Sequence, residues 1–300
     1  MPAAAPTPAS TGPAATTTAP AAMPAPGPAS PRKTAATRSR VASALAAVSL
    51  ATLALGGCAG SVSPAEARAD APEGAAAERE PKAGSAGRNA AAAARPAVDC
   101  EKAKCIALTF DAGPGKDTPA LLDHLKQEKV PATFFLLGKN HVLKYPDTVR
   151  RLAAEGHEVA NHTWTHKRLD QLDREGIREE LGRTQDAIAE ITGEKPTLMR
   201  PPQGRTNEDV TAVSKELGLS QVLWSATAKD YSTTDSALIE KRILDQAGRD
   251  GIILLHDIYD GTVPAVPGIV SELKKRGYTF VTVTELLHPA SPVPGTVYRP

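Results

Sequence analysis

The sequence predicts an α/β domain of parallel strands joined by crossover helices, built from the C-terminal two thirds of the chain. Three observations predict it. From Met1 to about Ala97 the chain is dominated by Ala, Pro, Gly, Ser and Thr and holds no Ile, Phe, Tyr or Trp. A stretch without large side chains cannot bury enough apolar surface to offset the entropy of ordering it, so the core has to come from Cys100 onward. There, short apolar runs alternate with amphipathic stretches, the rhythm of strand–helix–strand units. Finally, His, Asp and Arg cluster just after the apolar runs. Strand ends form the ligand face of a closed barrel and of an open doubly wound sheet alike. The dinucleotide version of the latter is weakened by the lack of a G-x-G-x-x-G segment.

The elements follow in order. Ile106–Phe110 reads as a strand that ends in a loop at Asp111–Gly115. Thr118–Lys129 is a helix with Leu121, Leu122 and Leu125 on one side, and Ala132–Gly138 is the next strand. Pro146–Glu155 is helical, and His157–His162 is a short strand. Over Asp173–Ile191, the residues Ile177, Leu181, Ile188 and Ile191 form one apolar stripe, and Gly193 and Pro196 end the helix. A strand at Thr197–Pro202, a helix over Asn207–Leu217 and a strand at Gln221–Ala226 come next. The pattern closes with a helix over Ser236–Ala247, a strand at Gly251–Asp257, a helix over Val266–Arg276 and a strand at Tyr278–Val283.

The N-terminal third reads as an address and a tether. Arg32, Lys33, Arg38 and Arg40 precede an uncharged run from Val41 to Leu55, the order of an export signal. Residues 55–58, Leu-Gly-Gly-Cys, resemble a bacterial lipobox, which implies that Cys58 becomes the lipid-modified first residue of the mature protein. A transmembrane anchor and an ordinary cleaved signal are the alternatives, although the run is shorter than the ~20 residues a spanning helix needs. In each case the preceding positive charge places the C-terminal domain outside. Either Met1 or Met23 can be the start. Residues 1–57 are therefore expected to be the signal, 58–97 a flexible tether, 98–290 the folded domain and 291–300 a C-terminal tail. Cys100 and Cys105 lie in the exported part and read as a disulfide closing a small loop, or else as two free thiols. The net charge of +1 gives no argument for a nucleic-acid partner, and the chain is expected to be a monomer.

Five segments carry the chemistry: Thr109–Pro114 (TFDAGP), Asn161–His166 (NHTWTH), Arg200–Gly204 (RPPQG), Lys229–Tyr231 (KDY) and Leu254–Asp257 (LLHD). Each follows a predicted strand. In this order they resemble the polysaccharide deacetylase family, carbohydrate esterase family 4, also called the NodB-homology family, over about Cys100 to Leu287. The resemblance implies a deformed (β/α) barrel of about seven parallel strands. It implies hydrolysis of N-acetyl groups on a cell-wall or extracellular polysaccharide, most simply peptidoglycan N-acetylglucosamine, with chitin oligosaccharide or acetylated xylan as variants. The cofactor would be a divalent metal: zinc, or cobalt, nickel or manganese.

By the same resemblance His162 and His166 are metal ligands, and their four-residue spacing would stack two imidazoles on a helical turn. Asp111 is the general base and His256 the general acid; Asp230 pairs with His256, and Arg200 orients Asp111. The backbone N–H of Gln203 would help stabilise the oxyanion, and Leu254 and Tyr231 would wall the acetyl methyl. Trp164, Trp224 and Tyr259 are candidate sugar platforms, with ordinary packing the simpler reading for Trp224. His124, His141, His157 and His288 match no segment.

The sequence also departs from the family. The first segment usually reads TFDDGP, and its second Asp, normally the third metal ligand, is here Ala112. Gln203 stands where Tyr or Phe is usual, Thr227 where Asp is usual, and Tyr231 where Trp is usual. Ala112 motivates a competing expectation, a non-catalytic sugar-binding or scaffold protein on the same fold.

Overall fold

The computed structural model describes residues 96–300. Cys58 and the signal and tether expectations lie outside the described residues. Nine strands and seven α-helices are found there. The strands are β1 (Lys104–Gly113), β2 (Thr133–Leu136), β3 (Glu158–Asn161), β4 (Leu198–Met199), β5 (Ser220–Val222), β6 (Ala226–Thr227), β7 (Gly251–Leu255), β8 (Tyr278–Val281) and β9 (Val297–Tyr298). The helices are α1 (Thr118–Glu128), α2 (Pro146–Ala154), α3 (Arg174–Thr192), α4 (Glu208–Glu216), α5 (Ser236–Gln246), α6 (Thr262–Lys275) and α7 (Val283–Leu287).

The strands form one curled sheet in the order β6-β7-β1-β2-β3-β4-β5-β9, and every pairing is parallel. This is the deformed barrel, left open between β6 and β9. Strand β1 is its centre. One edge pairs with β7 over Ile106–Phe110; the other pairs with β8 over Lys104–Ala107 and then with β2 from Thr109. Ten residues long, β1 needs two neighbours in succession to satisfy that edge.

Alternation along β1 sorts its side chains. Ile106, Leu108 and Phe110 join the outer core with Leu121 and Leu125 of α1, Ile239 and Ile243 of α5, and Ile269 and Leu273 of α6. Ala107 faces the inside of the curl with Phe135, Ala160, Val222 and Ile252. Thr109 and Asp111 therefore also point inward, and so does Leu254 on β7, two residues on from Ile252.

Four of the helices, α3, α4, α5 and α7, start at side-chain caps. Asp173 accepts from Gly176 N–H, Asn207 from Val210 N–H, and Asp235 from the N–H groups of Ala237 and Leu238. Thr282 and Glu285 form a capping box on α7, which sequence periodicity missed because that helix spans only five residues. Helix α6 begins four residues before the expected Val266. Its Pro264 and Pro267 disguise it, yet Pro264 lies in the first turn, where the missing N–H is not needed.

Two other expectations are corrected. The run Gln221–Ala226 is not one strand: the chain bends at Leu223–Ser225 and leaves β5 for the far side of the sheet, where β6 pairs with β7. Residues 291–300 are not a tail, because Val297–Tyr298 return as the edge strand β9 on β5. Cys100 and Cys105 are joined by a disulfide with Cα atoms 5.5 Å apart. Among the described residues no helix is long and apolar enough to cross a membrane.

Candidate active site

The inside of the curl is filled at its upper end by a guanidinium. Arg200, immediately after β4, is fully buried and has a partner for each nitrogen. Its Nε donates to Val222 O at 3.0 Å and its Nη2 to Leu223 O at 3.3 Å, while Nη1 donates to Thr109 Oγ1 at 2.7 Å and Asp111 Oδ1 at 2.6 Å. Phe135 lies under it, 4.1 Å from ring centroid to guanidinium carbon. A buried ion pair is tolerable only when its remaining donors are satisfied, and these are. The pairing leaves Asp111 Oδ2 facing His162 Nε2 at 3.8 Å.

His162 and His166 follow β3 with ring centroids 5.0 Å apart. They do not sit on a helical turn, as their spacing suggested. Thr163 and His166 have φ of 76° and 63°, which a right-handed helix excludes, and the imidazoles meet across an irregular loop. His162 Nδ1 lies 2.8 Å from Arg200 O. A carbonyl accepts only, so Nδ1 carries the proton and the Nε2 lone pair faces the site. Burial pushes the His162 pKa down to about 4 against the pull of Asp111, and burial also lowers His166. Both rings are therefore neutral near pH 7, the form that ligates metals.

Across the mouth, His256 follows β7. Its Nδ1 is 2.8 Å from Asp230 Oδ1, and its backbone N–H donates to Asp230 Oδ2 at 2.7 Å. Asp230 is itself buried and also accepts from Thr262 Oγ1 at 2.8 Å. Burial disfavours the imidazolium, but the Asp230 bond and charge, with Asp111 behind them, outweigh it and raise the His256 pKa above its ordinary value. Tyr231, 59% exposed, and Tyr259 flank the ring with centroids at 6.3 and 5.4 Å. Gln203 is exposed in the left-handed region at φ 59°.

Ala112 has φ 65° and is buried. Asp and Asn are several-fold enriched in that region over other non-glycine residues, so the loop keeps a backbone suited to Asp while carrying a methyl. Among the described residues no group of three or more His, Cys, Asp and Glu side chains is arranged to hold a metal ion. The donors nevertheless fit a divalent cation: two neutral imidazoles with ring centroids 5.0 Å apart, beside a buried carboxylate whose charge would balance it.

Several residues that matter here had no role in the sequence reading. Thr109 and Thr262 secure Arg200 and Asp230. Asp257, fully buried, accepts from Thr118 Oγ1 at 2.5 Å, while its Oδ1 has no hydrogen-bond partner. A Cβ on Gly113 would come within 2.3 Å of that Oδ1, so the Gly-Pro turn of the first segment is moulded on this carboxylate. Burial pushes its pKa up to about 6. Trp164, in contrast, is only 9% exposed. It packs on Gly138 with the Arg183 guanidinium 4.4 Å from a ring centroid, so it is no sugar platform. Trp224 packs over Gly204 and toward Arg200.

The polysaccharide deacetylase family model matches residues 99–222. A peptidoglycan-N-acetylglucosamine deacetylase of Bacillus cereus is 38% identical over 190 residues, which cover 61% of this chain and 88% of that protein. The chain belongs to the polysaccharide deacetylase family. The peptidoglycan-N-acetylglucosamine deacetylase PgdA of Listeria monocytogenes is 39% identical over 184 residues, 61% of this chain; the chain spans only 39% of that relative's length. Among solved structures, a T48 deacetylase with substrate superposes with a TM-score of 0.65 at 42% identity, covering 68% of this chain and 100% of that one.

Proposed function

We propose that the chain is a metal-assisted hydrolase that removes N-acetyl groups from a polysaccharide outside the cell, with peptidoglycan N-acetylglucosamine as substrate. One observation carries the reading: a carboxylate and a histidine of opposite duty, Asp111 and His256, stand on the two sides of one mouth, each locked by a buried partner. The names of the Listeria and Bacillus relatives support the substrate.

Asp111, held by Arg200 through Oδ1, offers Oδ2 to take the proton of the attacking water. His256 is held by Asp230 through Nδ1 and kept charged, so its Nε2 gives a proton to the leaving amine, which departs poorly without one. Leu254 from inside the curl and Tyr231 from the rim flank the acetyl methyl. The backbone N–H of Gln203 donates to the carbonyl oxygen as it gains charge. His162 and His166, beside Asp111, would hold a divalent cation, zinc in the first instance, whose contribution is Lewis-acid stabilisation of that same oxygen. The same reading takes Cys58 as lipid-modified and puts the domain on the outer face of the cytoplasmic membrane. A Cys58→Ala variant that still fractionates with membranes would remove that part alone.

The decisive assay is acetate release from N-acetylglucosamine polymers, with peptidoglycan, chitin oligosaccharide and acetylated xylan compared. Release is expected, greatest on peptidoglycan and abolished by a chelator. Ala112 favours a second reading, a sugar-binding protein without turnover. Polymer binding with no acetate under any divalent ion, restored by Ala112→Asp, would establish that reading instead.

A further inference from the structure

The loop between His162 and His166 has no regular hydrogen bonding of its own, and two of its residues have positive φ. Its backbone donors are nonetheless all accounted for. Thr163 N–H donates to Asn161 Oδ1 at 2.8 Å, and His166 N–H donates to Thr163 Oγ1 at 3.0 Å. The two middle donors go to a residue of another element. Glu180, in the second turn of α3, accepts from Trp164 N–H at 3.0 Å and from Thr165 N–H at 2.8 Å, both on Oε2, and from Thr165 Oγ1 at 2.5 Å on Oε1. The next residue, Leu181, accepts at its carbonyl from Asn161 Nδ2 at 2.8 Å, so α3 grips the loop at both ends of its first half.

Glu180 is 5% exposed. A carboxylate is expensive to bury, and it stays buried here because three donors converge on it; Lys167 Nζ, 3.8 Å away, is largely in solvent. It lies on the apolar stripe of α3, between Ile177 and Leu181, where a packing role calls for an apolar side chain. The hydrogen bonds of its carboxylate are all with the segment joining the two imidazoles.

We propose that Glu180 is the positioning residue of the imidazole pair: it fixes the Trp164–Thr165 backbone and thereby sets the separation and tilt of His162 and His166. It acts through the loop, not on substrate. The inference rests on reading the two histidines as metal ligands, and its test separates the two claims.

Wild type, Glu180→Ala, Glu180→Asp and Glu180→Gln are compared in the metal-free state and with added cobalt(II). The glutamine carbonyl can still accept both amides, whereas the aspartate keeps charge and burial but falls short of them. Cobalt affinity should drop by ~10-fold to 100-fold in the alanine and aspartate variants, the usual effect of losing a residue that orients a ligand. Their visible cobalt bands should shift, and the glutamine variant should recover both properties. A general loss of stability would not give this order. If Glu180→Ala does not fold, Glu180→Asp carries the test, and wild-type affinity and spectrum in it would overturn the proposal. If wild type itself binds no cobalt, the metal reading falls. Amide exchange then decides the part of Glu180: faster exchange at Trp164 and Thr165 in Glu180→Asp supports it, and unchanged exchange overturns it.

Discussion

At the scale of residues, the site is a set of buried charges, each with a named partner. Asp111 is 3% exposed and is the only carboxylate paired with the fully buried Arg200 among the described residues. Asp111→Asn should therefore do two things. Losing the proton acceptor should cut turnover by ~10²-fold or more. Losing the charge that compensates Arg200 should also lower the melting temperature, although the amide oxygen can keep the hydrogen bond. An active variant in an acetate-release assay would end the proposed mechanism, and an unchanged melting curve would mean that Arg200 is compensated elsewhere. Asp257 gives a prediction of opposite sign. Its pKa is raised from 3.8 to about 6, so its stabilising contribution is complete below pH 3.8 and is lost as the pH rises through about 6. Asp257→Asn mimics the protonated acid. It should be little different from wild type near pH 4 and more stable near pH 8, by at most roughly 3 kcal/mol, two pKa units' worth. Denaturant melts at the two pH values check this, and a variant less stable at pH 8 than wild type would refute it.

At the scale of elements, what the sequence displays is what local chemistry decides. Apolar runs gave the long strands because β1 and β7 are buried on both faces, and the expected starts of α3, α4 and α5 fall within a residue of the observed ones, where Asp and Asn side chains cap the first turn. The two-residue strands β6 and β9 carry no periodicity. Their existence depends on what lies beside them, and Val297–Tyr298 sits behind the turn-forming Ser291–Gly295. The His162–His166 loop departs from a helical turn for a related reason: its backbone donors are taken by the side chains of Asn161, Thr163 and Glu180, and the last of these lies on another element, α3. Strand β9 also has a consequence for the site. Gln221 N–H and Leu223 N–H donate to Thr296 O and Tyr298 O at 2.8 and 2.9 Å, and Gly295 N–H donates to Leu219 O at 2.8 Å. The carbonyls of Val222 and Leu223 in turn hold Arg200. Ending the chain at Pro289 should remove at least these three backbone bonds, at about 1 kcal/mol each, and lower the melting temperature by several degrees. Faster amide exchange at Gln221 and Leu223 should accompany it. Melting and exchange like those of wild type would show that β9 is ornamental.

At the scale of the whole molecule, the curled sheet brings together groups far apart in sequence, and this was legible only through the five segments and the family they resemble. Nothing local to Asp111 says that Arg200, 89 residues on, will hold it; nothing near His256 says that Asp230 will. The base is anchored by β1, β4 and β5, the acid by β6, β7 and the start of α6, so the two halves of the mouth can be perturbed separately. The histidines likewise diverge by environment alone: burial without a bonded carboxylate drives His162 down to about 4, while Asp230 lifts His256 above its ordinary value. An acid must be protonated to work, so kcat should decline as the pH rises through the pKa of His256, on an alkaline limb centred above 6.5, the ordinary histidine value. Asp230→Asn keeps an acceptor for Nδ1–H but removes the charge that favours the imidazolium. The whole limb should then move to lower pH, with turnover at pH 8 falling far more than turnover at pH 6. The chelator sensitivity should stay as in wild type, because His162 and His166 stand on the other half of the sheet. The pH–rate profiles of the two proteins on one N-acetylated polymer decide it. A limb that stays in place, or moves upward, would mean that His256 is not the proton donor and that the alkaline loss belongs to another group at the mouth.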